Sequence, residues 1–428
     1  MFLIFGGEYL RVREYYLISL CVISSVLAYW FLAKPAPLLA EGAIRAAYLS
    51  AFYFMLSVLR DGAMTSSSVL HVGRYLTQQP PNRRYWALAG GGHIMGVMMN
   101  FGALILLSPL VQRGAKDETG TLSPEIVAIR EQRQLCALIR GFSWFIAWAP
   151  TSIAQVVVVT IVTGASALTV AAMGAVAAVF VIIAGWIEDW FFGAKLRKRL
   201  GPSAAPAILS PLPSKAFRRL GAIYALLIGL SLFFAWLLDT RLVNGIMLAA
   251  LPVTAIWITA QIKTGDGDGR DLTTRAYDIA VKALPKGTPE ATTLALGGFT
   301  GTVLAGVVPP EALENTFALF GAQTAILYIS ITATVVLLSI IGMPPMLTVT
   351  FLGGAAARAQ GLGLDPNLLA VALLYGWTIN LTGSPFGGSN LIMSRQTGIA
   401  VKTLSFQWNA RFSIAAFIIC AAILALTS

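Results

Sequence analysis

Charge is what this chain has least of. Only 11% of its 428 residues are Asp, Glu, Lys or Arg, against about 25% in a soluble domain. Hydrophobic residues reach 57% and mean hydropathy is +0.75, which excludes a water-soluble globular protein. Histidine and cysteine are also scarce, and neither occurs in CxxC or clustered spacing. A structural zinc site and a redox dithiol are therefore not expected, and Cys21, Cys136 and Cys420 read as free thiols. There is no Walker A motif, no HExxH and no paired intramembrane Asp. That argues against ATP hydrolysis and intramembrane proteolysis, and no enzyme activity is expected. No basic face on a folded domain points to nucleic acid. No A-x-A-like cleavage site follows the first apolar run, which reads as a retained span.

What is present is a series of apolar runs about 20 residues long, the length that crosses a bilayer as a helix. They fall near 15–33, 43–59, 86–111, 137–163, 167–192, 219–238, 242–262, 317–342, 365–383 and 407–427. The predicted fold class is an all-α polytopic protein of the bacterial inner membrane, with about ten spans. Four more stretches, 62–73, 294–308, 345–359 and 386–400, are apolar but carry Gly, Ser or Thr. They read as re-entrant or broken segments, tolerated at membrane depth only inside protein or beside a wet cavity.

Net charge is +11. Lys195, Arg197, Lys198, Arg199, Lys215, Arg218 and Arg219 lie in one inter-span stretch without an acid. Such a linker is cytoplasmic by the positive-inside rule and would meet anionic lipid. It divides the chain into a first transmembrane repeat (1–192), the linker (193–218) and a second repeat (219–428). The turn TGDGDGRDLT at 264–273 lacks the Gly and Glu of an EF-hand loop and reads as a flexible polar turn.

The case for a repeat is an offset of 235 residues that aligns Gly62 with Gly297, Thr65 with Thr300, Pro109 with Pro344, Gly141 with Gly376, and Pro150 with Pro385. The same offset sets Gln155 on the amide Asn390. Paired Pro-containing breaks in two halves point to a midplane binding site in secondary transporters. Inverted halves need an odd number of crossings each. A full crossing by 86–111 would give five crossings per half and inverted halves, the arrangement favoured by analogy, whereas a hairpin there would leave the halves parallel.

The densest motif runs from Asn380 to Asn390, with Arg395 beyond it. Pro385 ends the helix before it, and Gly383, Gly387 and Gly388 let backbone approach a ligand. Asn380, Thr382, Ser384, Ser389 and Asn390 supply neutral oxygens or donors. Freed carbonyls there would suit Na⁺, and freed N–H groups an anion. The counterpart, Pro150, Thr151, Ser152 and Gln155, has the same break with fewer polar groups.

A polar segment, an apolar span with a proline and a Pro-broken helix, each occurring twice, resemble the ion transporter superfamily. That clan holds dicarboxylate/sodium symporters, arsenite permeases, sodium/proton antiporters and the large membrane subunit of tripartite dicarboxylate transporters. Ser384-Pro385-Phe386-Gly387-Gly388-Ser389-Asn390 is similar to the clan's broken-helix loop ending in Asn. Of its Ser-Asn-Thr hairpin tip only Asn100 matches, within Met99-Asn100-Phe101, and Val335 in the other half does not. The resemblance implies an elevator mechanism, a homodimer, Na⁺ or H⁺ as coupling ion, and no other cofactor.

Intramembrane charges are costly and mark function. Arg60-Asp61 can pair beside Thr65, and Arg358 and Arg395 are candidate contacts for an anion. Arg140 and Glu188-Asp189 read as interfacial, and His93 as a hydrogen-bonded link between helices. The expected function is secondary transport of a small, anionic solute coupled to Na⁺ or H⁺. A cation/proton antiporter and a lipid-linked-intermediate flippase or envelope-assembly protein are the alternatives.

Overall fold

The computed structural model describes residues 10, 12–115, 123–200, 211–318 and 324–428. The basic linker's residues 201–210 lie outside that set. The described residues are helical, without strands. Prolines start helices more often than they break them, because a first-turn residue needs no N–H partner. They do so in α2 (Ala36–Met64), α4 (Pro81–Met99), α6 (Pro124–Phe145), α12 (Thr288–Val307), α15 (Pro345–Arg358) and α16 (Pro366–Gly383). Ser123 and Asp365 add side-chain caps to α6 and α16.

The remaining helices are α1 (Val12–Phe31), α3 (Ser67–Thr77), α5 (Gly102–Ala115), α7 (Ile153–Ile161), α8 (Ala167–Leu200), α9 (Ser214–Leu237), α10 (Leu242–Thr264), α11 (Leu272–Tyr277), α13 (Pro310–Ala318), α14 (Thr324–Ile340), α17 (Gly388–Thr397) and α18 (Ala410–Thr427). Six of the described helices are long and apolar enough to cross a membrane: α1, α2, the 167–194 part of α8, α9, α10 and α18. The other apolar runs expected as spans fall on shorter or interrupted helices.

The run 86–111 is a hairpin, not a crossing. It breaks at Asn100, whose φ is 50°, a value Asn tolerates better than most residues. At the far ends, Gly114 of α5 packs against Thr77, four residues before α4 begins. The run 317–342 is half of a second hairpin, α14 and α15, which turns at 341–344. At its open end Gly361 N, just past α15, donates to Glu314 of α13 at 2.8 Å. The other interruptions are single helices broken in place: α6 and α7 around 146–152, and α16 and α17 around 384–387. Residues 294–308, expected to be broken, lie almost wholly within unbroken α12. The stretch 62–73 turns the α2–α3 corner.

One order of elements thus occurs twice: long helix, short helix, hairpin, interrupted helix, long helix. It runs α2 to α8, then α12 to α18, with α9 and α10 between. The 235-residue offset holds only for the interrupted helices. Pro109 lies inside α5 whereas Pro344 sits at a hairpin turn, and Gly62 ends α2 whereas Gly297 is mid-α12. The reason is a difference in connector length, which shifts the hairpin tips, Asn100 and 341–344, out of that register.

Contacts sort the loops into two ends. At one, Ser66 and Ser68 donate to Asp266 at 2.9 and 2.8 Å, and Arg219 pairs with Asp266 at 3.1 Å. Arg133 there pairs with Asp189, and Gln112 reaches Thr397 O. The Asp/Gly turn is therefore an anchored corner through Asp266 rather than a flexible one. At the other end Tyr48 donates to Asn244, Ser166 N to Asn367, and Arg358 to Val308 O. The first end gathers the arginines and lysines of α3–α4, α6, α9 and α10–α12. The second mixes Lys34, Glu41, Arg45, Asp239, Arg241, Glu311, Glu314 and Asp365.

Candidate functional site

The four chain interruptions meet at one cavity of about 540 Å³. Its wall takes Asn100 and Phe101 from the first hairpin, Gly342, Met343 and Pro344 from the second, Ile146 and Ile153 from the α6–α7 break, and Phe386 and Gly388 from the α16–α17 break. A second cavity of about 370 Å³ shares Tyr53, Asn100, Phe101, Ile153 and Glu290 with it. That one carries Arg60, Asp61, Lys282, Lys286 and Arg395, so its lining is charged where the first is largely apolar. The sizes suit a small solute.

The α16–α17 break is held by its own side chains. Gly387 fits only as glycine, since a Cβ there would lie 2.6 Å from Asn380 O. Ser389 Oγ donates to Leu381 O, and Asn390 Nδ2 donates to Thr382 O and Ser384 O at 3.2 and 2.9 Å. Carbonyls freed by Pro385 are therefore already occupied, against the expectation that they serve a cation. Ser384 Oγ donates to Ser339 O of α14 at 2.7 Å. In the other break Thr151 Oγ1 donates to Val97 O of α4 at 2.7 Å. Each break is thus stapled by one hydroxyl to the hairpin beside it, just before the tip. Sequence reading missed this pairing, although each hydroxyl adjoins its proline.

Asn380 differs from its neighbours. It is 1% exposed and lines the larger cavity, and neither its Oδ1 nor its Nδ2 has a partner. A buried amide without partners is costly unless something binds it. Gln155 Oε1 and Asn390 Oδ1 are buried without partners too, but neither residue lines a cavity wall. Gln155 Nε2 reaches Ala167 O at 3.3 Å, and Ser152 caps α7.

Several sequence candidates lie elsewhere. Thr382 bonds Ser413 of α18. Thr65 caps α2 and bonds Gln261 at the basic end. Thr300 is buried within α12, away from both cavities. Arg358 is no anion contact: it caps α12 through the carbonyls of Ala305, Gly306 and Val308. Arg60 and Asp61 pair at 3.1 Å on the charged wall, where Arg395 is exposed. Pro150 and Pro385 sit in the breaks and line neither cavity. Lys282, Lys286 and Glu290 were missed because they sit in what reads as a polar insertion.

Arg140, expected at the interface, is buried. Its guanidinium binds Asn409 Oδ1 at 2.9 Å and Glu188 at 3.1 Å, and lies over Phe412. A buried cation needs such pairing. His93 accepts from Trp148 Nε1 at 2.8 Å, so its other nitrogen carries the proton and donates to Gly141 O at 2.9 Å. It links helices and lines neither cavity.

Asn390→Ala exposes the cost of the break. The carbonyl of Thr382 would lose its donor, at roughly 1–3 kcal/mol for a buried unsatisfied group, while Ser384 O keeps the N–H of Gly387 at 3.0 Å. Thermal unfolding of the purified variant should show a lowered midpoint; an unchanged one would mean the bonds hold nothing.

No protein-family model matches the chain, and no curated protein matches it. Among solved structures, the fold is similar to that of the Alcanivorax borkumensis YdaH transporter, whose topology is described as unusual. The TM-score is 0.64 over 96% of this chain and 97% of that one, at 12% identity. The likeness is one of fold. Kinship with the ion transporter superfamily rests on the motifs alone.

Proposed function

We propose that this chain is a secondary active transporter that moves a small anionic solute through the cavity at the four breaks. The observation that carries the reading is the convergence of both hairpin tips and both helix breaks on one cavity with Asn380 unpaired in its wall. Four helices, α5, α7, α15 and α17, begin at that wall. First-turn N–H groups have no intrahelical partner and carry partial positive charge. The carbonyls of Leu381, Thr382 and Ser384 in the α16–α17 break already accept hydrogen bonds. Arg60, Lys282, Lys286 and Arg395 add positive charge to the adjoining wall. A cation/proton antiporter is the second reading, favoured by Glu290 on the walls of both cavities. Uptake into liposomes holding the purified chain, under imposed Na⁺ or H⁺ gradients, separates the two. Gradient-driven entry of a small carboxylate supports the first; cation exchange without anion uptake supports the second.

The paired order of elements is the basis for an inverted repeat. With hairpins that return to their own side, each unit has three crossings, an odd number. Two crossings, α9 and α10, then separate the units and start them from opposite faces. Arg74, Arg83 and Arg84 fall at the same end as the described residues that flank the linker. The positive-inside rule makes that end cytoplasmic, so the charged cavity faces the cytoplasm. The Thr151–Val97 and Ser384–Ser339 staples make hairpins and broken helices one candidate moving body, as an elevator within a homodimer requires. A cysteine placed at exposed Ser214 should resist membrane-impermeant maleimide in intact cells and react in inside-out vesicles. Labelling in intact cells would reverse the orientation.

A further inference from the structure

Away from the transport cavity, a small pocket of about 40 Å³ opens where the basic end of α4 meets α6 and α8. Arg84 of α4, Arg130 and Arg133 of α6, and Gln134 line it, with Asp189 the one carboxylate on its wall. Asp189 is engaged: Arg133 binds both its oxygens, at 2.8 and 2.7 Å. Arg84 spends only Nε, on Gln79 O at 3.0 Å. Neither Arg84 nor Arg130 has an acidic partner among the described residues. Gln134 is 2% exposed, and neither atom of its amide has a partner. Two guanidiniums in no ion pair and an unsatisfied amide around one small space match a tetrahedral oxyanion, which guanidinium forks bind well.

Depth supports the same chemistry. Trp86, Trp186 and Trp190 stand beside the pocket on α4 and α8, each more than a third exposed. Exposed tryptophans concentrate at the level of lipid headgroups. Basic pockets between helices on the cytoplasmic side hold anionic headgroups.

We propose that this pocket is a phosphate-binding site at the cytoplasmic membrane surface, separate from the transport cavity, which ties the first hairpin to α6 and α8. The phosphate comes either from an anionic phospholipid or from solution. The test is thermal unfolding of the full-length purified chain in detergent, titrated with phosphatidylglycerol or with inorganic phosphate. Chloride at matched ionic strength controls for screening. A saturable rise in melting temperature with phosphatidylglycerol alone identifies lipid as the source; a rise with inorganic phosphate identifies a soluble one. In either arm Arg84→Gln/Arg130→Gln should raise the half-saturating concentration by roughly tenfold or more, as loss of charge-assisted bonds does. Gln134→Leu is the companion variant if the double variant does not fold, because it removes an amide that holds no protein bond. It too should weaken binding. No saturable shift with either titrant, or the same half-saturation in a folded variant, overturns the site.

Discussion

Replacing Asn380 with leucine should stop solute uptake while leaving the melting temperature unchanged or higher. Both effects follow from one observation, that the amide is buried in the cavity wall with neither atom bonded. Removing an unsatisfied buried polar group in favour of an apolar one of similar shape is near neutral or stabilising. A residue that held the fold together would behave in the opposite way. Losing one solute contact in a desolvated site costs roughly 1–3 kcal/mol, about a ten- to hundredfold loss of affinity. Uptake in liposomes and thermal melts of the same preparation check both halves. Wild-type uptake, or a melt several degrees lower, would place the solute elsewhere.

Gly174→Ala should be the most damaging single methyl group in the molecule. A Cβ on Gly174 of α8 would lie 1.8 Å from Ala147 O, and Ala147 belongs to the α6–α7 break. The obstacle is backbone, so no side chain can turn aside and the break must move. Overpacking costs typically about 1–3 kcal/mol and sometimes more. The variant should melt lower and transport little. Gly90→Ala in α4 is the matched control, with nothing within 4 Å of the added methyl. There the same substitution should be neutral or gain up to about 1 kcal/mol from helix propensity. Equal behaviour of the two would mean that α8 does not pack against the break.

The two helix breaks were legible because proline leaves a mark. Pro150 and Pro385 stand among small polar residues in otherwise apolar runs. The first hairpin was not settled, because its turn is a single Asn100 in a run that is apolar on both sides. Length and hydropathy are alike for a span and for a hairpin, and only packing of Gly114 on Thr77 separates them. The offset between halves misled for a related reason: it was set by the broken helices and carried over hairpins whose connectors differ in length. At the site, sequence shows two amides, Asn380 and Asn390, without showing which one faces the cavity. Both were expected to bind solute; Asn390 spends its Nδ2 on the carbonyls of Thr382 and Ser384, and Asn380 stands in the cavity wall with neither atom paired. Arg358 was singled out as a charge that could meet an anion, and Arg140 was read as interfacial although it is buried. Their partners, carbonyls at the end of α12 and Asn409 with Glu188, are far off in sequence and could not be read from it.

All four interruptions should line one cavity that opens toward the cytoplasm. Cysteine accessibility tests it most directly, with Cys21, Cys136 and Cys420 replaced and single cysteines placed at Phe101, Ile146, Met343 and Phe386, one in each break. In inside-out vesicles a small, charged, membrane-impermeant thiol reagent should modify all four. Modification at one or two of the positions only, with the rest inert in folded protein, would contradict a shared cavity.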